Sequence, residues 1–170
     1  MDITHIILDD HRAQRALFAM IDDIKPSETD ALAAVWDRLS ILLEVHAEAE
    51  EKFFYPLLLR IGAGANDADD AEDETSDAIK DHNEIRDAVK AVAKHKVGSK
   101  GWFAAVGEAN KANGDHMAEE ERQGLTDFRR SASLEERHDL AVQFVAFKYG
   151  HRDGIKAKDK DPADYVAENA

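Results

Sequence analysis

The sequence predicts an all-α fold, an antiparallel up-down four-helix bundle with one additional C-terminal helix, on three observations. Apolar residues recur at steps of three and four along four long stretches, the period of a helix that buries one face. Short links rich in Gly, Pro and acidic residues join these stretches, which suits antiparallel neighbours and no sheet. The stretches also carry one polar pattern twice: His11 is followed 35 residues later by His46-x-x-x-Glu50, and His82 is followed 34 residues later by His116-x-x-x-Glu120.

A first helix is expected over residues 3–24, where Ile7, His11, Phe18 and Ile21 share a stripe and Pro26 ends the run. The second opens near residues 27–30, and Val35, Leu39, Leu42, His46, Glu50, Phe53 and Leu57 form its buried face. Pro56 lies inside this run and is expected to kink it, and Gly62-Ala63-Gly64 stops it. Residues 62–73, small and acidic, read as an exposed connection between two halves. The third helix spans about 75–96 with Ile79, His82, Ile85, Val89 and Val92 inward, and Gly98 to Gly101 turn the chain.

The fourth helix, about 102–130, aligns Phe103, Val106, Ala109, Asn113, His116, Glu120 and Phe128, with Gly107, Gly114 and Gly124 expected at close packing contacts. A fifth, 134–149, starts at a Ser133 cap. Its apolar part, 140–149, is expected to pack on the bundle or to form the seam of a homodimer. The charged segment from His151 onward receives no chemistry, apart from one turn of helix at Asp161-Pro162. Two units follow: a bundle over 1–131, and a C-terminal helix and tail over 132–170.

The chain has 170 residues, the size of one domain with its own core. A net charge of −14 repels phosphate backbones and anionic lipid heads, so neither nucleic acid nor a membrane is an expected partner. The absence of cysteine excludes disulfides, thiolate zinc sites and iron-sulfur clusters. The start, MDITHIILDD, lacks the basic end and long apolar core of a secretory signal. No run reaches the roughly 18 apolar residues of a spanning helix, and a cytoplasmic protein is expected.

Residues four apart on a helix stack on one face, so each His-x-x-x-Glu aims an imidazole and a carboxylate at one place. A carboxylate buried in an apolar interior without partners costs several kcal/mol or gives up its charge. Two metal cations answer both problems, with each glutamate bridging them, two imidazoles per metal, and one open coordination position on each for a small molecule. Iron fits mixed imidazole and carboxylate donors, whereas manganese prefers more oxygen and zinc tends to four ligands. Each bound His needs an acceptor for its other ring N–H, with Glu51, Glu119, Glu121 or main-chain carbonyls as candidates.

The order His11, His46-x-x-x-Glu50, His82, His116-x-x-x-Glu120, together with the segment HAEAEEKFFYP from His46 to Pro56, resembles the hemerythrin family, in particular bacterial HHE cation-binding domain proteins, over roughly residues 3–130. Ferritin-like di-iron bundles would show Glu-x-x-His instead. The resemblance implies a four-helix bundle around two non-haem iron ions bridged by carboxylate and solvent oxygen, with those four His and two Glu as the metal ligands and no separate catalytic residue. It implies a small gas or peroxide as partner and a peroxidase-like, catalase-like or nitric oxide-reducing role in stress protection. An oxygen- or iron-sensing, binding or storage module is the alternative.

One departure bears on function. Oxygen carriers of the family place a further His one turn after the third-helix His, where this chain has Arg86. Arg86 is expected to reach out to water, with balancing carboxylate charge or receiving an anion as the alternative, and Tyr55 to pack at the kink, with tuning the metals or donating to a bound ligand as the alternative. His5, His95, His138 and His151 are expected at the surface or as local caps, with His151 the candidate for a further ligand.

Overall fold

Side-chain oxygens at the helix starts fix where the elements begin. Asp2, Asp70, Ser99, Ser133 and Asp161 each accept a hydrogen bond from a backbone N–H of the following turn, satisfying donors that have no partner inside the helix. The computed structural model describes residues 1–66 and 70–170. The helices are α1 (Ile3–Asp23), α2 (Thr29–Ala49), α3 (Tyr55–Ile61), α4 (Ala71–Val92), α5 (Lys100–Arg122), α6 (Gly124–Ser131), α7 (Leu134–Gly150) and α8 (Pro162–Asn169). A π-helical turn, Glu50–Phe54, separates α2 from α3, and no strand occurs among the described residues.

The hairpins α1–α2 and α4–α5 form the bundle, α7 lies against α1, and α8 lies against α4. Two apolar clusters fill the interior. One gathers Ile7, Phe54, Leu58, Ile79, Leu125 and Phe128, and the other Phe18, Ile21, Leu39, Leu43, Ile85 and Trp102. Along α1, α2 and α4 the motif histidine falls between a member of one cluster and a member of the other, as Ile79, His82 and Ile85 show on α4, and on α5 His116 and Glu120 lie between Ala109 and Leu125 of α6. The polar layer is thereby sealed above and below by side chains worth roughly 1.5–3 kcal/mol each when buried.

Several sequence expectations change. The kink at Pro56 takes the form of the π turn just upstream, where Tyr55 N–H bonds back to Glu50 O. The turn's extra residue moves the buried face by one place, so Phe54 and Leu58 occupy the core positions expected for Phe53 and Leu57. The fourth helix is two, broken at Gln123 between α5 and α6. Trp102 is buried in the place expected for Phe103, because it lies one turn before Val106, on the stripe that continues through Ala109, Asn113 and His116; the helix itself starts two residues earlier, behind the Ser99 cap. Gly107 and Gly114 meet nothing: a Cβ added at either would lie in open space, so they serve no close packing.

The connection after α3 is anchored, and α4 begins at Ala71, earlier than expected, because Asp70 caps it. Asp127 on α6 accepts from the N–H groups of Ala63 (2.8 Å) and Gly64 (2.9 Å), and Glu74 on α4 accepts from Ala65 N–H (2.9 Å). Residues 67–69 of the expected connection lie outside the described residues. The tail also differs from expectation: residues 162–169 form a full helix, α8, whose Tyr165 is buried. The C-terminal helix α7 follows expectation, with Ser133 and Glu136 completing a capping box.

These positions have two consequences for stability. Gly107→Ala and Gly114→Ala should each raise unfolding free energy by about 0.5–1 kcal/mol in urea titrations, since alanine adds no clash and restricts the unfolded chain. Burial and the nearby Asp127 carboxylate push the Glu74 pKa up to about 7. A raised folded-state value gives stability that is full below the ordinary carboxyl range and is lost as pH rises through about 7. Glu74→Gln should therefore match the parent at pH ~4.5 and unfold at higher urea than the parent at pH ~8.5. Equal midpoints at both pH values would contradict this.

Candidate metal centre

All six motif residues are buried: His11 and Glu50 are 0% exposed and none of the others exceeds 5%. They come from different elements. His11 lies in α1, His46 near the end of α2, Glu50 at the first position of the π turn, His82 in α4, and His116 and Glu120 in α5. The i, i+4 spacing brings His46 Nε2 to 2.9 Å from Glu50 Oε1. Glu50 Oε2 lies 3.4 Å from His82 Nε2, His11 Nε2 lies 3.2 Å from Glu120 Oε2, and the Nε2 atoms of His82 and His116 are 3.1 Å apart.

The donor atoms fall into two groups, each mutually within 4.8 Å. His11, His46, Glu50 and Glu120 form one, and Glu50, His82 and His116 the other. Glu50 is common to both, as a bridging carboxylate would be. Glu120 belongs to the first group and turns its other oxygen to Tyr55, whose hydroxyl donates to Glu120 Oε1 at 2.6 Å. Tyr55, expected as packing at the kink, thus reaches into the centre, and burial with the Glu120 and Glu50 charges pushes its pKa well up, keeping it a donor. Glu119, one residue earlier than Glu120, is exposed.

The residues fit a metal by their unmet bonding capacity. Both oxygens of Glu50, Oε2 of Glu120, and Nε2 of His11 and His46 are buried without a hydrogen-bond partner, a condition natural interiors avoid. Five such atoms around one point, all nitrogen or carboxylate oxygen, suit hard or borderline cations. In the absence of a cation, burial raises the Glu50 pKa, but the adjacent His46 and His82 outweigh it and hold the carboxyl well below the ordinary range. Burial lowers the His46 and His82 values, and the carboxylates around them reverse this and hold both rings charged. Positive charge at the centre is a condition of this fold, whether carried by protons or by metal.

Every imidazole turns Nε2 inward and Nδ1 toward an outer carboxylate. His11 Nδ1 meets Glu121 Oε1 at 2.9 Å, His46 Nδ1 meets Asp10 Oδ2 at 3.1 Å, His82 Nδ1 meets Glu51 Oε1 at 2.7 Å, and His116 Nδ1 faces Asp81 Oδ2 at 3.5 Å. A carboxylate only accepts, so it holds a proton on Nδ1, and a cation that displaced the proton on Nε2 would meet that nitrogen's lone pair. Glu51 and Glu121 are among the acceptors expected from the sequence; Asp10 and Asp81 are additions. The signal for them is in the repeat, which reads Asp-His at 10–11 and 81–82 and Glu-Glu at 50–51 and 120–121.

Cations brace these outer carboxylates. Arg15 bonds Glu121 at 2.8 Å, Lys148 of α7 bonds Asp10, and Arg86 bonds Glu51 at 2.6 Å. Arg86 therefore does not reach for water; it is 4% exposed because its partner Glu51 is itself buried. His151 is no ligand either. Its Nδ1 meets Phe147 O at 2.8 Å and its ring lies over Phe147, which makes it a local cap of α7. His138 is paired with the chain's N-terminal amine.

Two small recesses approach the centre, each with about 10 Å³ of room, the scale of one water molecule. Tyr55, Asp81, His116 and Glu120 border the first, and Leu43, Ala47, His82, Ile85 and Arg86 border the second. Among the described residues no helix is long and apolar enough to cross a membrane.

Comparison with known proteins agrees with this architecture. A crystal structure of a hemerythrin HHE cation-binding domain-containing protein from Mycobacterium kansasii superposes with a TM-score of 0.75 over 98% of each chain, at 16% identity, which shows a shared fold. No curated protein sequence matches the chain. The model of the hemerythrin HHE cation-binding domain matches residues 2–127, the span that contains the whole repeated pattern. This chain belongs to the hemerythrin HHE cation-binding domain family.

Proposed function

We propose that the protein holds two non-haem iron ions and reduces or disproportionates a small oxidant, dioxygen, peroxide or nitric oxide, as a protective activity in the cytoplasm. The observation that carries this reading is the set of inward Nε2 atoms and unpartnered Glu50 and Glu120 oxygens at the middle of the bundle. His11, His46 and Glu120 would hold one ion, His82 and His116 the other, and Glu50 would be shared. Iron fits this thiolate-free mixture of imidazole and carboxylate. When bound, it would supply Lewis acidity and one-electron redox chemistry to a small ligand.

The chain's own residues narrow the class of substrate. Recesses with room for about one water, sealed by Leu43, Ile85 and Tyr55, admit small molecules and exclude bulky ones. The Tyr55 hydroxyl borders the first recess and fixes one Glu120 oxygen by donating its hydrogen bond to it. Arg86 sits where oxygen carriers of the family have a further His, and its guanidinium is committed to Glu51, so reversible oxygen carriage is not the favoured reading. Leu134, Val142 and Tyr149 are exposed on α7, and that helix is where a second copy would dock.

Protein purified without chelators should contain two iron ions per chain, matching the two donor groups, and chelation should lower its Tm by at least about 5 °C. The iron-loaded protein should consume peroxide or nitric oxide at least about 100-fold faster than its His116→Ala variant. Loading with iron but no faster consumption than His116→Ala would favour the alternative, a sensing or storage module. No iron uptake would overturn the proposal.

A further inference from the structure

The C-terminal segment, which lies outside the residues matched by the family model, reaches the centre through Glu51. Lys160 donates to Glu51 Oε2 and, at 3.0 Å, to Glu48 Oε2. Its position is set by Asn83, the neighbour of His82, which clamps the Lys160 backbone twice: Asn83 Nδ2 donates to Lys160 O at 2.7 Å, and Lys160 N–H donates to Asn83 Oδ1 at 3.1 Å. Glu51, with its side chain at 0% exposure, passes the constraint on through Oε1, which meets His82 Nδ1 at 2.7 Å.

A second contact arises from the π turn. Tyr55 N–H is diverted to Glu50 O, and in the same i+5 register the donor to Glu51 O would be Pro56, which has no N–H. The Glu51 carbonyl is left without a donor from its own helix. The buried hydroxyl of Tyr165 in α8 donates to it. The tail thus holds both the side chain and the main chain of the residue that orients His82.

We infer that Lys160 and Tyr165 make the C-terminal segment a positioning element of the metal centre, setting the orientation and donor strength of His82 through Glu51. The inference rests on the proposed iron pair. Lys160 and Arg86 share the negative charge of Glu51. Removing one cation leaves Glu51 a stronger acceptor, makes His82 a more electron-rich ligand, and favours the more highly charged oxidised metal. A hydroxyl that holds the Glu51 backbone acts on geometry instead.

The test uses the full-length iron-loaded protein and reads its midpoint potential and its iron affinity in competition with a chelator. Lys160→Met should shift the potential to more negative values, and Lys160→Arg should restore it. Tyr165→Phe should weaken iron binding about 10-fold. Lys90→Ala removes a different tie to the tail, the 3.0 Å bond to Asp159, without touching Glu51, and should leave both readouts unchanged. Circular dichroism of each variant checks the fold, and Tyr165→Phe, which removes a single hydroxyl, carries the test if Lys160→Met fails to fold. If the parent takes up no iron, the functional reading falls and this inference with it. If the parent loads and Lys160→Met and Tyr165→Phe match it in potential and affinity, or Lys90→Ala moves them equally, this inference alone is overturned.

Discussion

A carboxylate with no exposure, set between two apolar clusters, obliges the protein to place positive charge beside it. Glu50 is that carboxylate, and its two oxygens face imidazole nitrogens of His46 and His82. The imidazoles in turn need acceptors, which are carboxylates, and three of those carboxylates need cations of their own. The layers of alternating charge, Glu50, then His46 and His82, then Asp10 and Glu51, then Lys148, Arg86 and Lys160, follow from that single burial. Metal held there would take over the inner positive charge that the imidazoles otherwise supply.

The two halves repeat this scheme and then depart from it at one place. Asp10 and Asp81 serve the His of the next helix within their own hairpins, whereas Glu51 and Glu121 reach across to His82 and His11. The hairpins are thus cross-linked through the very groups that orient the buried histidines. In both halves the helix breaks shortly after its motif Glu, by a π turn at Glu50–Phe54 and by the irregular Gln123 after α5. Only the first break sits before a proline, and its product, Tyr55, donates to Glu120 of the other half. The centre is therefore symmetric in its nitrogen donors and asymmetric in its carboxylates.

Much of this is legible in the sequence. Helical periodicity places His11, His46, Glu50, His82, His116 and Glu120 on buried faces, and polar residues that interrupt apolar stripes at matched spacings must satisfy one another, or a shared ion, inside the core. The repeat reaches further than the six motif residues, since the flanking Asp10, Asp81, Glu51 and Glu121 recur with it. What periodicity does not show is a change of helical register. The π turn moves the core face from Phe53 and Leu57 to Phe54 and Leu58, and it turns Tyr55 inward. Arg86 and the tail depart from expectation for one shared reason. The rule that a long cation seeks water, or that a charged segment stays solvated, fails where a buried acid such as Glu51 offers a better partner.

Anomalous diffraction at the iron edge, from crystals of iron-reconstituted protein, tests the central claim most directly. The account predicts two neighbouring peaks inside the bundle, one among His11, His46 and Glu120 and one beside His82 and His116, with Glu50 touching both. Iron found only on surface carboxylates, with the six buried donors still paired to one another, would contradict it.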